Sequence, residues 1–256
     1  MLLESYIREQ LKKKDILLMT HIVIGYPSLQ ASFELVEAMV AAGVDLMELQ
    51  IPFSEPIADG PVILKANQAS LAAGTRVDDC LQFAEKAARS FPIPFLFMSY
   101  YNILFKYGVK AFVRTMAERS IRGAIVPDLP HEEGADYLQA MTANQLAPIF
   151  IYAPTSTDAR MQQIAEHARG FIYCVARKGV TGQQTDFTEQ LQAYLNRCRS
   201  AANLPLALGF GVKDKADIDY LTGKADIAVI GTQTIRVMEE KGVEGVREFI
   251  EGLRKR

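Results

Sequence analysis

Two carboxylates lie eleven positions apart in the segment VDLMELQIPFSEPIADGP. Glu48 interrupts an apolar stretch typical of a buried strand, and Asp59 lies in the loop that follows it. An ionised group in such a strand is costly unless it is paired or solvated. The pair therefore predicts acid–base chemistry at the carboxyl end of this strand. The alternatives are an interior carboxylate bonded to a polar neighbour and an Asp-Gly turn before a helix that begins at Pro61.

Three glycine-bearing loops follow strand-like segments late in the chain. They lie at residues 179–182, 209–211 and 231–232. Glycine lets the backbone approach a ligand closely, and N–H groups at loops and helix starts bind phosphate. The loops indicate a phosphate site, with simple turns as the alternative.

The sequence lacks the residues that other mechanisms of carbon–carbon cleavage would need. None of the predicted strands contains the lysine that a Schiff-base aldolase needs. His21, His131 and His167 are scattered without the spacing of metal ligands, so no metal site is predicted. His21 is interpreted as a satisfied interior histidine. Any carbon–carbon cleavage would have to depend on carboxylates.

Short apolar runs alternate with segments of helical periodicity. Strands are predicted at residues 19–24, 46–50, 95–99, 123–126, 149–152, 171–175, 204–208 and 227–230. Helices are predicted over the first 15 residues, around 33–40, 81–88 and 111–117, and at 133–144, 159–168, 187–198, 215–221 and 243–254. Eight such units predict a single-domain (β/α)8 TIM barrel over residues 1–256 with an extra N-terminal helix, and an open doubly wound sheet is the alternative. Strand alternation places Leu46, Glu48 and Gln50 on the interior face.

Composition narrows the possible partners and location. The chain has 256 residues and a net charge of −2, without the basic stripe that binding to nucleic acid would need. It shows neither a signal-peptide pattern nor the roughly 18 consecutive apolar residues of a membrane span. The cysteines lack the spacing of a disulfide framework or a zinc site, so they are expected to be buried and the protein to be cytoplasmic. They are Cys80, Cys174 and Cys198.

Seven motifs resemble the tryptophan synthase alpha subunit family over nearly the whole chain. ELQIPFSEPIADGP is similar to that family's signature, ELGIPFSDPLADGP. The others are IVIGYPS, LFMSYYNILFKYG, IVPDLPHEE, APTSTDAR, FIYCVARKGVTG and LGFGV. The resemblance implies a TIM-barrel lyase of tryptophan biosynthesis that cleaves indole-3-glycerol phosphate to indole and glyceraldehyde 3-phosphate without a cofactor of its own.

The resemblance also implies roles for individual residues. Glu48 would be the acid–base that serves the indole C3 and the C3′ hydroxyl, Asp59 would hold the indole N–H, and Tyr173 would be the active-site tyrosine. The implied substrate-binding residues are Tyr100, Thr181, Gly182, Phe210, Gly211, Gly231 and Thr232. Tyr100 and Phe210 would line the indole pocket, and the glycines with Thr232 would hold the phosphate.

A partner is implied by the same resemblance. The alpha subunit would pass indole to a tryptophan synthase beta subunit, which carries pyridoxal phosphate, in an alpha2-beta2 assembly. Four residues depart from the family pattern: Gln50, Glu55, Thr232 and His21, the last at a commonly apolar position. Gln50 and Glu55 add bulk near the site and the expected interface. The alternatives are a subunit that mainly binds and activates its partner, and another phosphate-binding barrel enzyme such as a sugar-phosphate isomerase.

Overall fold

The structure is a closed barrel of eight parallel strands in sequential order. It is a computed structural model that describes residues 1–176, 189–209 and 211–254. The strands are β1 (Leu17–Val23), β2 (Leu46–Gln50), β3 (Phe95–Met98), β4 (Gly123–Ile125), β5 (Ala147–Tyr152), β6 (Ile172–Val175), β7 (Leu206–Gly209) and β8 (Ile227–Ile230). The TIM-barrel prediction is confirmed, and the open sheet is excluded because β1 pairs with β8.

Eleven α-helices lie in the described ranges, most of them between consecutive strands. They are α1 (Leu3–Leu11), α2 (Leu29–Ala41), α3 (Pro61–Ala72), α4 (Val77–Ser90), α5 (Tyr101–Tyr107), α6 (Val109–Glu118), α7 (Ala135–Ala143), α8 (Asp158–His167), α9 (Glu189–Ala201), α10 (Lys215–Leu221) and α11 (Thr232–Arg254). The predicted final helix covers only the second part of α11, which Gly242 interrupts with a φ of 69°. Helix α5 was not predicted separately, because no apolar periodicity distinguishes so short a segment.

Alternate residues of β2 face opposite sides of the barrel wall. Met47 and Leu49 pack with the surrounding helices, whereas Leu46 belongs to the apolar cluster inside the barrel. Leu3 and Ile7 of α1 join the same interior cluster. The interior is therefore apolar beneath Glu48, which follows Leu46 on the same face, two residues before the strand ends at Gln50.

Asp45 joins the two ends of the chain to the start of β2. Its side chain is 2% exposed and accepts hydrogen bonds from Lys14, Arg254 and, at 2.8 Å, the backbone N–H of Leu18. The Tyr6 hydroxyl donates to its carbonyl oxygen at 2.9 Å. The carboxylate thus joins β1, α11 and the loop between α1 and β1, while the carbonyl oxygen of Asp45 holds α1 through Tyr6.

The structure tests two expectations from composition, that the cysteines are buried and that no helix spans a membrane. Cys80, Cys174 and Cys198 are free and buried, as expected. In the ranges that the structure describes, every helix is too short or too polar to cross a bilayer.

Candidate active site

Strand pairing places His21 beside Glu48. The two residues are register partners across β1 and β2, and they are 4% and 2% exposed. The ring Nδ1 of His21 lies 3.0 Å from Oε2 of Glu48. The other carboxylate oxygen, Oε1, and the other ring nitrogen, Nε2, have no hydrogen-bond partner among the described residues. One oxygen of Glu48 is thus held, and the other remains available for chemistry.

The charges around His21 oppose the effect of burial on its pKa. Burial lowers the pKa of this imidazole, but the hydrogen bond and charge of Glu48, with a smaller contribution from Asp59, raise it above its ordinary value. His21 therefore keeps its proton to higher pH than an isolated histidine. The interpretation of His21 as an interior histidine is confirmed, but its ring is not fully satisfied, because Nε2 has no partner among the described residues. Its contact with Glu48 was missed.

Asp59 reaches the same region from the loop after β2. Nε2 of Gln50 donates to its Oδ2 at 2.7 Å, and the Tyr100 hydroxyl donates to the same oxygen at 3.0 Å. Burial raises the pKa of Asp59, while the charge of His21 and these two hydrogen bonds oppose that rise. Gln50 does more than add bulk, because it holds the second carboxylate in place.

The loop that carries Asp59 is anchored at several points. The Phe53 backbone N–H donates to the Asn67 side chain at 2.9 Å, and the Ala58 N–H donates to the Tyr100 hydroxyl at 3.1 Å. The rings of Phe53 and Tyr100 stack with centroids 5.1 Å apart. Sequence reasoning missed Phe53, although an aromatic residue in a catalytic loop is a signal for a flat ligand. Tyr100 is fully buried, so the half-buried Phe53 ring stacked on it is the part of this pair that such a ligand could reach.

Tyr173 enters the site from β6. Burial raises its pKa well above the ordinary value, and the charges of Glu48 and Asp59 raise it further. Both carboxylates therefore act on one phenol inside the barrel. A Cβ atom on Gly209 of β7 would lie 2.9 Å from the Tyr173 ring and hydroxyl, so this glycine makes room for the tyrosine.

Only part of the three glycine-bearing loops lies within the residues that the structure describes. Gly211 follows β7 with a φ of 87°, and Gly231 lies between β8 and Thr232, the first residue of α11. A Cβ atom on Gly231 would lie 3.6 Å from Cβ of His21, so the β8 loop adjoins the carboxylate region. N–H groups at the start of α11 suit an anion. The predicted residues Thr181, Gly182 and Phe210 lie outside the described residues.

The assembled groups suit proton transfer. The described residues contain no group of three or more histidine, cysteine, aspartate or glutamate side chains placed to hold a metal ion. They do place one half-free carboxylate, a second held carboxylate and an aromatic wall at the carboxyl end of the strands. Such a site can protonate one atom of an aromatic ligand and stabilise the positive charge that results.

Comparisons with known proteins cover almost the whole chain. The profile of a family described as "Tryptophan synthase alpha chain" matches residues 7–253. A relative of that name from Syntrophotalea carbinolica is 67% identical over 253 residues, which are 99% of this chain and 100% of the relative. One from Desulforapulum autotrophicum is 64% identical over 252 residues, or 98% and 100%. The solved tryptophan synthase of Mycobacterium tuberculosis has a TM-score of 0.91 at 31% identity, covering 98% of this chain and 96% of that one.

Proposed function

Because this chain belongs to the tryptophan synthase alpha chain family, we propose that Glu48 and Asp59 carry out that family's reaction in its barrel. The chain is a lyase of tryptophan biosynthesis that cleaves indole-3-glycerol phosphate to indole and glyceraldehyde 3-phosphate. The observation that carries the residue assignment is geometric. Glu48 and Gln50 share one face of β2, and Nε2 of Gln50 donates to Oδ2 of Asp59 at 2.7 Å, which is expected if the two carboxylates face one shared space. The raised pKa values of His21 and Tyr173, to which both carboxylates contribute, agree with this.

Glu48 moves the protons in this proposal. Its Oε1, free of partners in the described ranges, gives a proton to C3 of the indole ring. Protonation makes the ring an electron sink. The carboxylate then takes the proton of the C3′ hydroxyl, a carbonyl forms at C3′, and the electron pair of the C3–C3′ bond passes to the indole. Atoms and electrons balance without a metal or a Schiff base.

Asp59 stabilises the charged ring. Protonation at C3 places positive charge on the indole nitrogen. The hydrogen bond from the ring N–H to a carboxylate is therefore strongest in that state. Gln50 and Tyr100 fix the Asp59 oxygen in advance, so little reorganisation is needed. The half-buried Phe53 ring, backed by the buried Tyr100 ring, suits a flat apolar ligand. Tyr173 lines the opposite side from β6, and we propose that Phe210 completes the pocket.

The phosphate binds at the late loops in this proposal. The backbone of Gly211 and Gly231 and the N–H and hydroxyl of Thr232 form the described part of the cradle. Thr232 retains the hydroxyl of the serine that is usual in the family. Thr181 and Gly182 are proposed to complete the cradle.

We propose a tryptophan synthase beta subunit as the partner, in an alpha2-beta2 assembly in the cytoplasm. Pyridoxal phosphate is proposed to lie in that subunit, with no cofactor in this chain. Ile57, 73% exposed, and Phe105, 69% exposed, lie after β2 and β3. Both follow the carboxyl ends of strands, where the product leaves a barrel site. Glu55 is exposed in the same loop and is a proposed determinant of partner matching.

Indole release from indole-3-glycerol phosphate tests the proposed function, with and without a beta subunit. The wild-type chain should release indole and glyceraldehyde 3-phosphate in equal amounts, faster with the partner. Asp59→Asn should lower kcat more than it raises KM, because the lost charge matters most in the transition state. Asp219→Asn is the matched control, since its side chain is 60% exposed on α10. Absence of indole under both conditions would support a subunit that only binds its partner, and an effect of Asp59→Asn on KM alone would refute its role.

A further inference from the structure

His21 is an ionisable residue at an interior position. It is 4% exposed on the β1 face that points into the barrel, where neighbouring positions such as Met19 are apolar. A buried imidazole has a free-energy cost unless its polar atoms are paired. One of them is paired with Glu48, which the proposed function makes the acid–base. The pairing therefore involves the reacting carboxylate itself.

The contact distinguishes the two oxygens of Glu48. Oε2 is bound by the His21 ring at 3.0 Å, whereas Oε1 has no partner in the described part of the chain. The imidazole is confined, because His21 is only 4% exposed, β1 and β2 are in register at this pair, and a Cβ atom on Gly231, just after β8, would lie 3.6 Å from the His21 Cβ. A confined donor on one oxygen limits rotation of the carboxylate and directs the other oxygen.

We propose that His21 is a positioning residue for Glu48: its Nδ1–H donates to Oε2, which holds Oε1 towards the indole C3, and its positive charge stabilises the carboxylate that remains after C3 is protonated. The inference rests on the proposed function and adds a residue to it. No proton leaves His21 in this step. The proton that C3 receives comes from Oε1, and His21 is not a catalytic residue in the strict sense.

The titratable and polar groups near His21 come from three elements. Glu48 lies on β2 with Gln50, Asp59 lies in the loop after β2, and Tyr173, whose pKa the same carboxylates raise, lies on β6. The neighbour from β8 is the backbone of Gly231. Burial lowers the pKa of His21, while Glu48, Asp59 and the Gln50 side chain together raise it more, so the cation persists above the ordinary pH range of histidine. Activity that needs this cation should fall as pH rises through that raised pKa.

Two substitutions separate positioning from space filling. His21→Leu fills the space with an apolar side chain that has no hydrogen-bond donor. His21→Asn places an amide N–H near the position of Nδ1 but cannot titrate. His167→Asn is the control, because this histidine is exposed at the end of α8.

The pH profiles of kcat and KM for indole release are the first measurement. His21→Leu should lower kcat roughly 10- to 100-fold with little change in KM, as loss of a supporting hydrogen bond does elsewhere. His21→Asn should recover part of kcat. Both variants should lose the alkaline decline, which is the fall in activity that the wild type shows as pH rises. A wild-type kcat and pH profile in His21→Leu would overturn the proposal. Equal losses in both variants, with the alkaline decline retained, would indicate a merely structural role and also overturn it.

A second measurement does not depend on turnover. The imidazole of His21 is titrated by NMR in the wild-type chain and in Glu48→Gln, with His21→Asn used to assign the signal. The pKa of His21 should fall in Glu48→Gln, because its largest favourable partner is lost. An unchanged pKa would show that the two side chains are not paired in solution and would refute the inference. If the wild-type chain releases no indole, the proposed function fails, while this titration still decides whether the pair exists.

Discussion

Replacement of Gln50 by leucine tests how the second carboxylate is held. Gln50 is fully buried, and its Nε2 donates to Oδ2 of Asp59 at 2.7 Å. Leucine has a similar volume but no donor, so Gln50→Leu removes one of the two side-chain hydrogen bonds on that oxygen. The other, from the Tyr100 hydroxyl at 3.0 Å, remains. The substitution therefore weakens the hold on Asp59 without leaving a large cavity.

The size of the effect follows from the kind of bond that is lost. A hydrogen bond to a charged group contributes ~1.5–3 kcal/mol, and each 1.36 kcal/mol is about tenfold in rate. Since Tyr100 still binds Asp59, we expect the lower end of this free-energy range, which is about a tenfold loss of kcat/KM near the pH optimum. Gln50 also opposes the burial that raises the pKa of Asp59. Without it that pKa rises further, so the carboxylate becomes protonated, and activity is lost, at higher pH.

Steady-state indole release across pH is the assay. The acid side of the kcat/KM profile should move to higher pH in Gln50→Leu. Gln30→Leu is a matched control, because Gln30 also donates to a carboxylate, Glu34 at 2.8 Å, on an exposed helix surface. A Gln50→Leu variant that keeps both the rate and the acid side of the profile would refute the role given to this hydrogen bond.

Two further predictions concern packing and stability. Gly209→Ala should lower kcat/KM at least tenfold, because its Cβ would lie 2.9 Å from the Tyr173 ring; Gly252→Ala, with no described atom within 4 Å of its Cβ, should have no effect. Asp45→Asn should lower the free energy of unfolding in urea by about 2 kcal/mol, since it leaves partly exposed cations unpaired. A loss as small as that in Asp219→Asn would contradict the role of Asp45.

The strands were predictable because their signal is local. Buried parallel strands are short runs of apolar residues, and those of β2 and β8 match the predicted bounds. Alternation of side chains along β2 was enough to place Glu48 on the interior face beside Leu46. The break at Gly242 within α11 was not predictable to the same degree, because one glycine in a helical pattern does not reveal its φ value.

The contacts within the site needed the tertiary structure. The pairing of His21 with Glu48 depends on the register of β1 against β2, and these residues are 27 positions apart. The bond from Gln50 to Asp59 depends on how the intervening loop folds back. Both residues depart from the usual pattern of the family and were noticed for that reason, but sequence alone gave no contact for either. Each contacts one of the two carboxylates.

The rate of indole formation by Glu48→Gln tests the central claim most directly. Glutamine keeps the size of the side chain and removes its capacity to exchange a proton at this position. Glu251→Gln is the control, because this side chain is 42% exposed on α11 and lies outside the site. With the fold unchanged by circular dichroism, indole release should fall ~10²–10⁴-fold, the usual loss for a general acid–base. Near-normal turnover in Glu48→Gln would contradict the account.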